Sequence, residues 1–393
     1  MASRLNILFV TQWYPSTLRS TNQMLGIFVQ EHARAVEKYA NVTVLHAVKL
    51  FSATRKLYEI IDERKQRSKG SIKSICIKYR HLPLPLATYF IYSIAMIHAL
   101  VVLLRKGPLD LIHIHHFNGG IPAILFGKIT RIPVLVSEHA SCFGRKLMNK
   151  VDILEARFVL NNAEIIIPVN KSLLRAMQEY RIKNNYEIVP NTVDDEVFST
   201  RRKCTANAHV HILFVGQLFP VKGVPLLLEA LCKIKEKRDD LKVDIVGDGP
   251  HKDQYVELVR KYDLNNNVTF HGLLTKRDIA VLASRAAFLI SASLYEVQPC
   301  VILEALTAGL PIVAPRVGGI PEVVTEKVGI LFPPGNPEKM AKAIELMLDN
   351  YKGYAREEIS RYARDRYSYK VVGKQLAGIY SRFRLLGGRP RVL

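Results

Sequence analysis

Short apolar runs rich in β-branched residues alternate with helix-length segments along the whole chain, and the alternation starts twice. In the first half, Ile7–Val10, Val42–Ala47, Leu111–His115, Val134–Ser137 and Ile165–Pro168 are short and bounded by turn residues. That is the pattern of buried strands. Helix-length segments such as Gly26–Tyr39 and Gly120–Ile129 lie between them. Strands of this kind, separated by helices, predict a parallel sheet covered on both faces. The second half repeats the scheme. Its strands are Ile212–Val215, Lys242–Val246, Val268–His271, Phe288–Ser291, Ile312–Ala314 and Gly329–Phe332. Its helices are Pro225–Glu236, Pro250–Tyr262, Lys276–Ala283, Val301–Leu306 and Pro337–Leu348.

The two starts read alike. Asn6-Ile-Leu-Phe-Val-Thr-Gln-Trp-Tyr-Pro15 recurs as His211-Ile-Leu-Phe-Val-Gly-Gln-Leu-Phe-Pro220, each a first strand leaving into a loop. Two Rossmann-like α/β domains are expected, 1–198 and 206–365, divided in the polar stretch Ser199–Ala208. Ligands of open α/β sheets sit at the carboxyl ends of the strands, so the site is expected in a cleft that the two parallel sheets face.

The charge is one-sided, with 56 Lys+Arg against 35 Asp+Glu and a net charge of +21. Residues 51–150 and 351–393 carry nearly all of the excess. Such a chain is expected near phosphates, whether of nucleic acid, anionic lipid or an anionic substrate. RNP, KH and helix-turn-helix patterns are absent, which sets nucleic acid aside. The tail from Arg361 mixes Tyr with Arg and Lys, a composition suited to a headgroup interface. The apolar stretch Leu86–Leu104 has about the length of a membrane span. It reads as a buried or half-buried domain helix, as a helix in the membrane interface, or as a span. A span would separate strands that look like neighbours in one sheet. Five scattered cysteines lack C-x-x-C spacing, and the N-terminus runs straight into a strand without a signal-peptide core. Both point to the cytoplasm.

Three strand-to-helix loops in the second half carry the chemistry. Gly216-Gln-Leu-Phe-Pro-Val-Lys-Gly223 lets backbone approach a ligand, and Lys222 adds a charge for a diphosphate. Val246-Gly-Asp-Gly-Pro250 is a second loop at the same edge. In the third, Glu296 lies in a loop and Glu304 eight residues on, in an apolar helix. A carboxylate there is costly unless it is hydrogen-bonded or meets a ligand. Two helical turns hold the acids about 12 Å apart, too far to share one proton but suited to the two ends of an elongated ligand. The exposed amides of the stretch Gln298, Pro299, Cys300 and Val301, at the start of that helix, would meet an anion.

As a set these segments resemble the retaining GT-B glycosyltransferases of family 4, also called group 1. The segment from Glu296 to Glu304 is similar to their E-x7-E signature, and Gly216–Gly223 to their diphosphate loop. Val268-Thr-Phe-His-Gly-Leu-Leu274 is similar to their base-binding turn, which contains Gly272, Leu273 and Leu274. The run from Gly26 to Val36 resembles their first donor-facing loop and helix. Asp110–His115, Ser137–Ala140 and Val189–Asp194 match strand ends of the N-terminal domain. The resemblance implies that Glu304 holds a nucleotide ribose and that Glu296 and His139 lie by the donor sugar. It implies that Gly26, Gly216, Gln217 and Lys222 meet the diphosphate, and that a last helix, 367–386, crosses back onto the first domain. The family's phosphate-binding Arg is Gln217 here, and its paired glycines are reduced to Gly26. His115 and His116 are expected on the acceptor side. Without partners at ligand spacing they are not read as metal ligands.

The implied activity is transfer of a sugar from a nucleotide-sugar, UDP before GDP, to a lipid-linked or cell-envelope saccharide. Transfer would proceed with retention, without a metal or cofactor, on the inner face of the cytoplasmic membrane. Two other readings stay open: a non-catalytic membrane-associated partner subunit, and a sugar-nucleotide 2-epimerase.

Overall fold

The computed structural model describes residues 4–15, 26–51, 56–63, 72–199, 209–238 and 240–384. The polar stretch expected to divide the domains lies almost wholly outside them, as do residues 385 and 386. The chain forms two compact units, one of residues 1–192 and 369–393 and one of 193–368.

The first unit contains β1 (Asn6–Thr11), α1 (Ile27–Glu37), β2 (Asn41–Leu50), β3 (Tyr58–Asp62), β4 (Lys73–Arg80), α2 (Pro85–Lys106) and β5 (Leu111–His115). It continues with α3 (Ile121–Thr130), β6 (Val134–Glu138), α4 (Lys150–Asn161), β7 (Ile165–Pro168) and α5 (Lys171–Glu179). The strands lie in the order β3-β4-β2-β1-β5-β6-β7. All neighbours are parallel except β3 and β4. The expected strands are all present. The sheet is not wholly parallel, however, because β3 and β4 form an antiparallel pair at one edge. Their Lys, Glu, Tyr and Arg residues hide the apolar run that marks the central strands.

The second unit contains β8 (Val210–Val215), α6 (Val224–Lys235), β9 (Leu241–Val246), α7 (Lys252–Lys261), β10 (Val268–Gly272), α8 (Lys276–Arg285) and β11 (Phe288–Ile290). It continues with α9 (Cys300–Thr307), β12 (Ile312–Pro315), α10 (Ile320–Val323), β13 (Gly329–Phe332), α11 (Pro337–Asn350) and α12 (Arg356–Tyr367). Its sheet, β10-β9-β8-β11-β12-β13, is parallel throughout. Val193 and Phe198 are buried in this unit's core, so 193–198 belongs here and not, as expected, with the first domain.

The last helix, α13 (Tyr369–Arg384), returns to the first unit and packs along α1. Val372, Leu376, Ile379 and Tyr380 enter that core. The Tyr369 hydroxyl donates to Glu31 at 2.6 Å. The Tyr380 hydroxyl lies 2.7 Å from His113 Nδ1 on β5. At Gly373 a Cβ would stand 2.3 Å from the Ala35 carbonyl oxygen, so only glycine allows this approach. Gly373→Ala should push α13 off α1 and cost about 1–3 kcal/mol, the usual range for overpacking. A urea melt checks it, and an unchanged midpoint would refute the packing account.

Candidate active site

In each unit the winding reverses beside the first strand, between β1 and β5 and between β8 and β11. Loops on either side of such a reversal part and leave room for a ligand. Most of the residues singled out from sequence lie at these two places, whereas Gly272, Leu273 and Leu274 follow β10 at the edge of the sheet.

In the second unit, Lys222 follows β8 and Glu296 follows β11. Their side chains pair, with Nζ 2.5 Å from Oε1. The Ser293 hydroxyl donates to the same oxygen at 2.8 Å. Lys222 ends a short 3-10 turn that Gly223 closes in the left-handed region, at φ 67°. A Cβ on Gly223 would stand 2.0 Å from the Ala292 carbonyl oxygen, so the two exit loops touch backbone to backbone. The three exit loops of β8, β9 and β10 are joined in turn. Gly216 N–H donates to Val246, Leu218 N–H to Asp248 and Gly247 N–H to Gly272, all at 2.8–2.9 Å. Gln217 is exposed on the first of them. Leu273 is exposed after Gly272, whereas Leu274 packs against the core.

Pro299 caps α9, and Gln298 is buried just before it. Cys300 and Val301 form the first turn, where backbone N–H groups and the helix dipole favour an anion. Glu304 is buried one turn further on, and Lys276 Nζ lies 3.4 Å from its Oε1. Lys276 opens α8 directly behind the Gly272–Leu274 turn, and sequence reasoning passed over it. It also passed over Gly318 and Gly319, which clasp the Glu296 loop. Gly319 N–H donates to Val297, and a Cβ on Gly318 would stand 1.6 Å from the Glu296 carbonyl oxygen.

In the first unit the site is a cluster of imidazoles. His139 Nδ1 lies 3.1 Å from Asn191 Oδ1, an acceptor, so Nδ1 carries the proton. His139 Nε2 then accepts from His115 Nδ1 at 3.3 Å. Phe28 stacks on the His139 ring, with centroids 4.3 Å apart. His32 on α1 donates from Nε2 to the Pro190 carbonyl at 3.0 Å. This leaves His32 Nδ1 and His115 Nε2 buried without hydrogen-bond partners. Gly26, at φ 79°, begins α1, and a Cβ there would strike the Trp13 carbonyl. Its glycine is accounted for by this backbone approach.

Beneath the cluster, Glu138 at the end of β6 accepts from the backbone N–H groups of Phe117, His139 and Ala140. His116 Nδ1 lies 2.9 Å from it. Burial alone would raise its pKa. The His116 charge and these hydrogen bonds outweigh burial and hold the carboxyl below its usual range. His116 takes φ 76°, rare for a residue with a Cβ, and its ring lies against Trp13, which follows β1. His115 and His116, expected on the acceptor side, are both buried; His115 meets His139, and His116 meets Glu138.

His32, His115 and His139 each bring a ligand atom within 4.8 Å of the others, as do His46, Glu63 and Cys76 elsewhere in the unit. These are the residues that could hold a metal ion among those described. In the second set, His46 Nε2 lies 3.0 Å from Glu63 and the Ser74 hydroxyl donates to Glu63, which accounts for that buried carboxylate.

Comparison with known proteins gives the family and the fold. The family profile described as Glycosyl transferases group 1 matches residues 199–366, and that of Glycosyltransferase Family 4 matches 45–197. The chain belongs to the group 1 glycosyltransferases. This glycosyltransferase is 27% identical to an uncharacterised glycosyltransferase of Methanocaldococcus jannaschii, over 69% of this chain and 75% of that one. It is 29% identical to a component of the human phosphatidylinositol N-acetylglucosaminyltransferase, over 50% of this chain and 40% of that one. The structure of Anabaena HepE in complex with UDP shares the fold. The TM-score is 0.75 at 17% identity, covering 96% of this chain and 100% of that one.

Burial pushes the imidazoles of His113, His115 and His139 well below the ordinary histidine range, and that of His32 down to about 4. All four are therefore uncharged at neutral pH. Below the ordinary value of 6.5 the unfolded chain binds protons that the folded chain refuses. Stability is then complete above that pH and declines towards pH 4, by about 1.4 kcal/mol per pH unit for each such histidine. The melting temperature should fall on acidification through this window, and His32→Gln should make the fall shallower. A melting temperature that rises on acidification would refute the neutral cluster.

Proposed function

We propose that this glycosyltransferase moves a sugar from a UDP-sugar, with a GDP-sugar as the second choice, to a lipid-linked or cell-envelope saccharide, with retention at the anomeric carbon. The observation that carries the reading is the Lys222–Glu296 pair at the β8–β11 reversal, with the α9 N-terminus directly after it. In this reading the second unit takes the donor and the first takes the acceptor.

A leaving diphosphate gathers negative charge, and groups fixed in advance around it stabilise the transition state most. Lys222 is held by Glu296, so its position does not have to be found when the donor arrives. The first-turn amides of α9 add the partial positive end of a helix dipole. Glu304, eight residues on and held by Lys276, takes the ribose hydroxyls. His139, neutral and fixed by Asn191 and His115, is suited to orient a sugar without adding charge. The acceptor hydroxyl loses its proton to the departing phosphate oxygen on the same face, so the new bond forms where the old one broke.

UDP is supported by the complex of HepE, which shares the fold. A lipid acceptor is supported by the human relative, whose name specifies phosphatidylinositol. The positive charge of residues 51–150 supports a place on the inner face of the cytoplasmic membrane. No metal enters the reading, because lysine and amides meet the diphosphate charge.

UDP release from UDP-sugars, with and without acceptor, tests the assignment. Lys222→Met should lower kcat/KM about a hundredfold, the usual loss for one such contact. Glu304→Ala should raise the donor KM, and Gln217→Ala should leave turnover near wild type. Turnover that survives Lys222→Met and Glu304→Ala would overturn the roles, and absence of turnover on every nucleotide-sugar would favour the partner-subunit reading. Turnover should also survive a chelator, and its loss would overturn the metal-free reading.

A further inference from the structure

Three neighbouring helices of the first unit turn apolar side chains outward. On α2, Leu86, Phe90 and Ile94 recur at every fourth residue and are exposed. The neighbouring helix α3 presents Leu125 and Ile129 at the same spacing. On α4, Val151, Leu154 and Phe158 form a third stripe. These eight side chains are 37–85% exposed. The stripes belong to one surface. Helix α3 packs against both α2 and α4, and the Tyr89 hydroxyl of α2 donates to Glu155 of α4 at 3.0 Å. Single exposed leucines are ordinary, but a contiguous face of this kind marks a docking surface.

The opposite side of α2 is part of the fold. It packs on β3 and β4, and the Tyr92 hydroxyl donates to the Gly119 carbonyl at 2.8 Å. The helix is long and apolar enough to span a bilayer, with mean hydropathy 2.0, but 39% of its most apolar stretch is buried in the unit. Spanning would strip that packing from the sheet. Of the three readings of Leu86–Leu104, this packing argues against the span, and it leaves the outer stripe of the helix to be covered.

Charge identifies the cover. The charged residues of α2 and α3 are Arg105, Lys106 and Lys128, and Arg131 caps α3. All four are basic and exposed. On α4, Lys150 precedes Val151, while Asp152 is taken up in the helix cap and Glu155 by Tyr89 and Gly119. An apolar face edged by cations fits a leaflet with anionic headgroups, where the acyl boundary takes the apolar side chains and the phosphates take the cations.

We propose that the α2–α3–α4 face seats the first unit on an anionic bilayer, inserting its apolar stripes to headgroup depth. This rests on the membrane placement of the proposed function and gives it a surface and a mode. Attachment is then partly hydrophobic, so salt weakens it without abolishing it.

Sedimentation of the full chain with vesicles of phosphatidylcholine, with and without phosphatidylglycerol, tests this. Binding should require phosphatidylglycerol and should persist in part between about 0.1 and about 0.5 M salt, where headgroup attraction is screened. The triple variant Phe90→Ser, Ile129→Ser, Phe158→Ser should lose at least tenfold in vesicle affinity (about 1.4 kcal/mol). It should keep its melting temperature and its release of UDP without acceptor. The matched control is Leu346→Ser, exposed on the second unit, which should bind as wild type. A triple variant that binds as wild type would overturn the proposal, as would a wild type that ignores vesicles and dimerises through this face. Because UDP release is read separately, failure of docking and failure of the transferase reading are distinguishable.

Discussion

A parallel strand is reached only by a crossover, so every strand in such a sheet delivers its exit loop to the same edge. Where the winding reverses, consecutive crossovers leave on opposite faces and their loops part. Both units of this glycosyltransferase place a cluster of charged or imidazole side chains at that point. In the second unit the exits of β8 and β11 meet through Lys222 and Glu296. In the first, the exits of β1 and β5 meet through Trp13 and His116. The side chains differ, but the constraint that brings them together is the same.

Each place is then held by a group whose burial is costly unless it is fully used. Glu138 is completely buried and accepts from three backbone amides with His116 alongside. It fixes the loop that carries His139. Glu304 is buried in an apolar helix with Lys276 beside it, and Glu296 is fixed by Lys222, Ser293 and the Gly318–Gly319 clasp. A carboxylate left unpaired in such surroundings would cost several kcal/mol, so these partners position the loops as well as neutralise the charge. His32, His113, His115 and His139 meet the same problem by giving up their charge.

Much of this was legible in the sequence because it is local. The apolar runs of the central strands stand out by composition, and Lys222, Glu296 and Glu304 lie within short segments of regular spacing. What escaped reading is assembled from distant parts. β3 and β4 pair through polar residues at a sheet edge. His32, His115 and His139 come from α1, β5 and the β6 exit, so no spacing reveals them as a cluster. Lys276 reaches Glu304 from another helix, and Gly318 looks like an ordinary loop glycine until the Glu296 backbone is set against it. The outward stripes of α3 and α4 are short, and they become a surface only beside α2.

The central claim is that the charge of the leaving diphosphate is met on the face from which the acceptor attacks. The anomeric configuration of the newly formed glycoside, read from its proton NMR coupling constants, tests this most directly. Retention of the donor's α configuration is the result expected. An inverted product would mean that attack comes from the opposite face, and the roles given to Lys222, Glu296 and the α9 N-terminus would not hold.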